Sequence, residues 1–387
     1  MREAVKDEII RCRLLNMTAK ASWYASQLRR ELGLRNRRWA RGRAHVESYS
    51  NPPVIVYAPE HPTDEDQSLH PKAQERLLGD PDVGTPPERV RHGNFFDAAY
   101  AAIAARPEWM RRFGKIHAQG RALPKAESGP NAEPARRWRE LDSSMSSDAL
   151  LMNVFCAPGV AESAAVRRAL GVDGDAEPVF GWKARVPLAS GRFDRTEVDM
   201  RWGGLLVEAK LTEGDFQTRA AGVVEGYRDF DAVFERELLP RVELRTARRR
   251  AAVEFPEEFT QEWEDAATDD EVAREFQEGI MALAREAEQA EVGYAGYQLI
   301  RNVLAAFAEG CSFCVLHDER RPDLREAWFA VMAAVKSAEM RVRCKVLTWQ
   351  ELAALLPEEL QEFLDWKYGI VGPGRMSSPV GDVTDSD

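Results

Sequence analysis

The segment TEVDMRWGGLLVEAKL (196–211) constrains the fold of this chain more than any other stretch. Two strand-like runs are separated only by Gly203-Gly204, and glycine accepts the positive φ that type I′ and II′ turns demand. The spacing predicts a tight antiparallel hairpin. In its register Trp202 faces Leu205, Met200 faces Val207, Asp199 faces Glu208 and Glu197 faces Lys210. Opposed β-carbons lie about 4.5–5.5 Å apart on one face. Two carboxylates, a third acid and a lysine then share one face. Val198, Met200, Val207, Ala209 and Leu211 are left to bury on the other.

Two opposed carboxylates repel unless a cation sits between them. A hard cation such as Mg²⁺ or Mn²⁺ takes carboxylate oxygens and keeps several waters, which leaves positions for a phosphate and a nucleophilic water. Lys210 points the same way, where it orients or helps to deprotonate that water and stabilises developing charge. The competing reading is a solvated charge ladder worth about 0.2–1 kcal/mol per opposite-charge pair. That ladder does not explain why Asp199 opposes Glu208. Glu-x-Lys occurs once in the chain, in its most strand-like segment. Asp-x-Lys also occurs once, at Asp365-Trp366-Lys367, in a helical stretch where i and i+2 do not share a face. Asp194 in GRFDR is the rival first acid, with opposite strand parity unless the chain bulges near Gly191. Glu197 is either a third acid at the metal or a salt-bridge partner for Lys210.

The rest of the chain places this hairpin in a larger pattern. Residues 1–135 read as a basic helical and loop region, with a helix over 1–48, a strand at 53–58, a loop over 59–90 and a helix over 94–113 broken at Pro107. Residues 136–370 form the core. It opens with a serine-capped helix over 143–156 and a short helix over 160–170. Strands follow at 179–188, 196–202 and 205–211, then a helical acidic insertion at about 228–293. A helix over 297–310, a strand over 311–318, a helix over 321–338, a strand over 341–349 and a helical end over 350–370 complete it. Residues 371–387 read as a disordered tail.

An acid on one strand and acid-any-Lys on the next, inside a helix, three strands, helix, strand order, resembles the PD-(D/E)XK nuclease superfamily. The matching residues are Asp199 and Glu208-Ala209-Lys210. LLVEAKLTE with the later YQLIRN is similar to one bacterial branch of it. The resemblance implies a restriction-endonuclease-like α/β fold with an αβββαβ core and a mixed sheet. It implies hydrolysis of phosphodiester bonds, in DNA, with Mg²⁺ or Mn²⁺ held by Asp199, Glu208 and the backbone carbonyl of Ala209. Lys210 is then the catalytic lysine, and Gln298 of YQLIRN lies on the active-site side. Gln298, Arg301 and Asn302 share one helix face and suit contact with phosphate or metal-bound water; capping or interhelix hydrogen bonding competes with that role. The superfamily often places another acid on the first core helix, and Glu140, Asp148 and Glu162 are all available. Ser147 and Asn153 on that helix are weaker candidates.

Composition limits the partners. A formal charge of −11 excludes a uniformly basic nucleic-acid coat, but the poles are uneven. Residues 28–43 hold seven arginines and one glutamate, whereas residues 254–291 hold fourteen acids and only Arg274 and Arg285. Arg35, Arg37, Arg38 and Arg41 are candidate phosphate contacts, with Trp23, Tyr24 and Trp39 available to stack on bases. The alternative is docking of this run onto the acidic insertion of its own chain or of a second copy, a homo-oligomer. Five cysteines, an odd count, fit a reducing cytoplasm. No apolar run is long enough for a membrane span. Cys311-x-x-Cys314 lacks two further zinc ligands at matching spacing and reads as buried. His92-Gly93-Asn94 is not followed by a partner at a useful distance. The alternative from another class is a catalytically inactive nuclease-fold module that binds nucleic acid or protein.

Overall fold

The computed structural model describes residues 22–48, 50–51, 53–60, 91–116, 139–244 and 291–375. A first helix, α1, spans 22–39. It buries Leu28 and Leu32 in the core, as their spacing of four predicts. The strands β1 (His45–Glu47) and β2 (Ile55–Tyr57) pair antiparallel. The helix α2 (Asp97–Ala104) is followed by a turn of helix opened by Pro107 and a 3-10 turn over Arg111–Gly114.

The core opens at α3 (Ser147–Phe155), where the Ser146 side chain accepts from the Ala149 N–H, and continues with α4 (Ala164–Leu170), capped by Ser163 and ended by Gly171 at φ +67°. Both serines satisfy amide groups that a helix start otherwise leaves unpaired. The strands β3 (Pro178–Lys183), β4 (Glu197–Trp202) and β5 (Leu205–Ala209) follow. Next come β6 (Thr218–Ala220), β7 (Arg241–Leu244) and β8 (Glu291–Ala295), which form a separate small sheet in the order β6-β8-β7. The chain ends with α5 (Tyr297–Glu309), β9 (Ser312–His317), α6 (Pro322–Met332), β10 (Cys344–Thr348) and α7 (Glu358–Tyr368).

The central sheet has the order β10-β9-β5-β4-β3. β3, β4 and β5 run antiparallel; the Gly203-Gly204 turn joins β4 to β5, and residues 184–196, which hold the small pair Val186–Pro187 with Phe193–Asp194, join β3 to β4. β5, β9 and β10 run parallel, because α5 and α6 carry the chain back between them. The helix, three strands, helix, strand order expected from the sequence is present in a mixed α/β fold. Gly203 alone in the hairpin turn has positive φ, +58°, the pattern of a II′ turn.

The sheet is covered on both faces. Leu205, Val207, Ala209 and Leu211 join α3, α4 and α7 in one apolar cluster. Leu206 joins α5 and α6 in a second. All five residues of β5 are therefore buried. The five apolar hairpin residues bury as expected, except that Val198 lies in the second cluster with Leu206 and not beside Met200.

Three elements differ from the sequence expectation. The helix over 1–48 is described only from residue 22 and gives way to β1, since Gly42 takes positive φ after the arginine run. The described parts of the insertion, 228–244 and 291–293, are two helical turns, strand β7 and the start of β8, not a long helix; Val242 and Leu244 alternate with charged neighbours, the two-residue period of a strand. Residues 341–343 end a short helix that the Ser337 side chain caps, so the last strand starts at Cys344. The loop at 61–90, residues 245–290 of the acidic insertion and the tail beyond 375 lie outside the described residues. Among the described residues no helix is long and apolar enough to cross a membrane.

Candidate active site

Charged side chains in a strand with both faces buried demand an explanation, because an unpaired buried charge is costly. Glu208 is 2% and Lys210 5% exposed at the C-terminal end of β5. Each is paired. Glu208 Oε1 accepts from the Lys210 ammonium at 2.8 Å, and Oε2 accepts from Asn302 Nδ2 at 2.9 Å. Burial pulls the Lys210 pKa down, but the carboxylates of Glu208, Glu213 and Asp199 outweigh it and raise it. Lys210 is therefore a fixed cation, with its ammonium 5.6 Å from the Phe216 ring centre.

Asp199 meets this pair from β4. The hairpin ladder follows the expected register at Trp202–Leu205, Arg201–Leu206 and Met200–Val207, then stops. Beyond it the Asp199 carboxylate takes the place of a backbone acceptor and receives the Ala209 N–H at 2.8 Å. N–H and C=O of one strand residue point to the same side, so the Ala209 carbonyl also faces β4 in the gap where the ladder has ended. Burial first, then the charges of Glu208 and Asp148, raise the Asp199 carboxyl well above the usual carboxylate range, against the pull of Lys210 and the Ala209 N–H. The opening of the ladder also moves Glu197. It does not meet Lys210 as expected; it pairs with Arg112 Nη1 at 2.6 Å and lies 3.6 Å from the Lys115 ammonium.

Arg112 and Lys115 enter from the 3-10 turn ahead of the core. Arg112 Nη2 reaches Asp148 Oδ2 at 2.6 Å, and Lys115 reaches the same oxygen at 3.0 Å and Glu140 at 3.1 Å. Of the three acids left open, the structure thus brings two to the cluster: Asp148, in the first turn of α3 and 4% exposed, and Glu140, in the 3-10 turn ahead of that helix. β3 makes room for the guanidinium at Gly181. Its φ is +67°, and a Cβ there would fall 2.2 Å from Arg112 Nη1. Gly181→Ala is expected to cost about 1–3 kcal/mol of strain and to push Arg112 out. Thermal melts read the first effect, and the loss of protection of Arg112 from guanidinium-modifying reagents reads the second.

The cluster is acidic overall. Glu140, Asp148, Glu197, Asp199 and Glu208 face Arg112, Lys115 and Lys210, which leaves two uncompensated negative charges when all are ionised. A divalent cation would balance that charge. Among the described residues no three His, Cys, Asp or Glu side chains are grouped to hold a metal ion. The donor set that remains is two carboxylates and a carbonyl, with water for the rest, which suits Mg²⁺ and does not suit zinc.

The loop after β5 is fastened from beneath. Arg321 is fully buried and donates to the carbonyls of Leu211, Glu213 and Gly214 at 3.2, 2.7 and 3.0 Å, and to Asp323 Oδ2 at 2.7 Å. Glu213 in turn accepts from Ser147 Oγ and from the Leu211 N–H. Trp349 Nε1 donates to the Lys210 carbonyl at 3.0 Å.

The remaining sequence candidates divide. Gln298 lies on the face of α5 that carries Asn302, one turn nearer the helix N-terminus, and its Oε1 is buried with no hydrogen-bond partner among the described residues. An orphaned acceptor beside this cluster fits a ligand or metal-bound water. Arg301 and Asn302 do not face a phosphate path, because the polar stripe of α5 packs onto the sheet. Arg301 is 2% exposed and is held by Asp194 at 3.2 Å and by the carbonyls of Thr196 and Glu197. Asn302 orients Glu208. Asp194, the rival acid, is committed to Arg301, to Tyr227 and to Thr196.

The arginine run is not a free arm, because its apolar residues belong to the core. Arg35 is buried against Glu31 and the Asp365 carbonyl. Arg37 pairs with Glu47, Arg38 is half-buried and Arg41 exposed. Trp39 donates to the Gly93 carbonyl and packs on Phe363, so it is not available for stacking. Cys311 and Cys314 are both buried, and burial pushes the Cys314 thiol up to about 12, opposite to what a metal-bound thiolate needs.

A family model described as restriction endonuclease associating with ARP matches residues 43–369, a span that contains every residue of the cluster. No curated protein and no solved structure matches the chain.

Proposed function

The chain belongs to the family of restriction endonucleases associating with ARP, and from that premise we propose that it is a Mg²⁺- or Mn²⁺-dependent nuclease of the PD-(D/E)XK type that hydrolyses phosphodiester bonds in DNA. One observation carries the reading. Asp199 and Glu208 are forced together beside a fixed lysine where the hairpin ladder ends, and with both carboxylates ionised their repulsion outweighs the pull of that lysine on Asp199.

Asp199, Glu208 and the Ala209 carbonyl are the groups that would hold the metal. A divalent ion there supplies Lewis-acid charge at a phosphoryl oxygen and a bound water of lowered pKa. Lys210 stays protonated near neutral pH, since its pKa is raised. It therefore acts as a hydrogen-bond donor to a phosphate or water oxygen and stabilises developing negative charge. It does not take the proton of the attacking water. Asn302 fixes the Glu208 rotamer, and Gln298 offers its unpartnered Oε1 to a water.

The test is the purified chain on linear and circular duplex DNA with Mg²⁺ and with EDTA. Mg²⁺-dependent breakage that EDTA stops is expected, and loss of the circular form separates internal cutting from attack at ends. DNA left intact in both conditions contradicts the reading. The second reading, a non-catalytic nucleic-acid-binding module, draws on the closed Lys210–Glu208 pair. It predicts retention of DNA with neither cleavage nor heat on Mg²⁺ addition.

A further inference from the structure

A site that admits a nucleic-acid backbone needs a cation at its mouth, and two of the arginines expected to supply one are spent elsewhere. Arg301 and Arg35 are buried in contacts within the chain. Lys210 is 5% exposed and closed onto Glu208. We propose that Lys115 is the phosphate-contacting cation of the site, leaving its carboxylates for a backbone phosphate of the bound nucleic acid while Arg112 stays behind to hold them. The proposal rests on the nuclease reading and adds to it a residue outside the catalytic hairpin.

Three observations carry it. First, Lys115 is placed at the site's edge: its ammonium lies 3.0 Å from Asp148 and 3.6 Å from Glu197, and Asp148 in turn acts on Asp199. Its side chain is 39% exposed, against 10% for Arg112. Secondly, Lys115 is detachable. Asp148 keeps Arg112 Nη2 at 2.6 Å and Glu197 keeps Arg112 Nη1 at 2.6 Å when the ammonium swings away. Glu140, partly exposed, gives up its contact with Lys115 without Arg112 in its place. Thirdly, the scaffold is built for that division. The missing side chain of Gly181 gives Arg112 its seat against β3. The Lys115 carbonyl is fastened by the Glu140 N–H at 2.9 Å, and Ile116 bridges to Arg139. The backbone is fixed while a flexible four-carbon stem is free to reorient.

The ammonium gives up contacts with Asp148, Glu140 and Glu197 for charge-assisted hydrogen bonds to a phosphate, and counterion release from the nucleic acid offsets the difference. Each phosphate contact adds about 0.9 to the log–log salt dependence of duplex binding and about 0.7 for a single strand.

The experiment is fluorescence anisotropy of the full chain with a labelled linear duplex and the matching single strand. Ca²⁺ replaces Mg²⁺ so that the DNA survives, and the salt concentration is varied. Lys115→Ala is expected to weaken binding uniformly across sequences and to lower the duplex salt slope by about 0.9. Lys115→Arg keeps the charge and is expected to keep the slope. Lys336→Ala, at an exposed lysine paired with Glu235 and the Asp231 carbonyl, leaves it unchanged. A wild-type slope in Lys115→Ala overturns the proposal and leaves the nuclease reading standing, as does an equal loss in Lys115→Ala and Lys115→Arg, which marks a packing role. Wild-type protein that binds neither strand form overturns both.

Discussion

Asp199→Asn is expected to abolish cleavage and, at the same time, to make the metal-free protein more stable. The loss of a metal-holding carboxylate removes several kcal/mol of transition-state stabilisation, on the order of 10³-fold in rate. The gain has a separate cause. Burial and the Glu208 charge hold the Asp199 carboxyl well above its ordinary range. The folded chain therefore keeps a proton there that the unfolded chain releases. Stability from that proton is fully present below the ordinary carboxylate pKa and is lost as pH rises through the raised one. Asparagine keeps an oxygen for the Ala209 N–H and carries no charge to lose. Urea melts in EDTA should show Asp199→Asn gaining on the wild type as pH rises, by about 0.5–2 kcal/mol at the plateau. Saturating Mg²⁺ should reverse the order, since it stabilises only the chain that binds it. A variant that is less stable than wild type in EDTA at every pH would make Asp199 a structural partner of Ala209 and nothing more.

The largest expected stability loss lies at a residue outside the catalytic set. Arg321→Met strands the carbonyls of Leu211, Glu213 and Gly214 and leaves the Asp323 carboxylate buried without its guanidinium. Breaking a buried pair from one side costs about 3–5 kcal/mol, a melting shift on the order of 10 °C for a chain of this size. Much of that cost is the uncompensated carboxylate, so Arg321→Met with Asp323→Leu should recover part of it. Activity should not recover with stability, because the loop at 211–214 places Glu213 beside Lys210 and Arg321 ties three of its carbonyls together. Thermal melts and cleavage rates on the single and double variants separate the two effects. Full recovery of both in the double variant would make the loop's anchorage irrelevant to the site.

How much of this was legible in the sequence follows from the range of the forces involved. The hairpin is a local object. Gly203-Gly204 dictates the turn, and the alternation of β4 dictates which side chains bury, so the meeting of Asp199 with Glu208 is legible from spacing alone. The serine caps of α3 and α4 and the proline opening α6 are local in the same sense. The register failed where a side chain overrode the backbone: the Asp199 carboxylate captured the Ala209 N–H, ended the ladder and sent Glu197 to Arg112 instead of Lys210. No pattern of period two foresees that.

The cations of the site were missed for a different reason. Arg112 and Lys115 lie 36 and 33 residues before Asp148, on a turn with no motif of its own. The one local hint was Gly181, a glycine inside a strand, which often marks a close approach by another group. The arginine run misled through composition. Its charges suggested phosphate contacts, but Leu28, Leu32 and Ala40 between them are core residues, and helical periodicity outweighs charge count in deciding where a helix sits. Arg301 was misread because spacing on α5 gives a shared face and not what that face meets, which here is the edge of β4.

Calorimetric titration of Mg²⁺ into the metal-free chain, wild type beside Asp199→Asn and Glu208→Gln, tests the central claim most directly. The paired carboxylates predict saturable binding by the wild type at millimolar metal, with proton release that grows as the pH is lowered toward the raised Asp199 pKa, and no binding by either variant. A wild type that takes up no metal at millimolar concentration, or variants that bind as it does, would contradict the claim that the hairpin was built around a divalent ion.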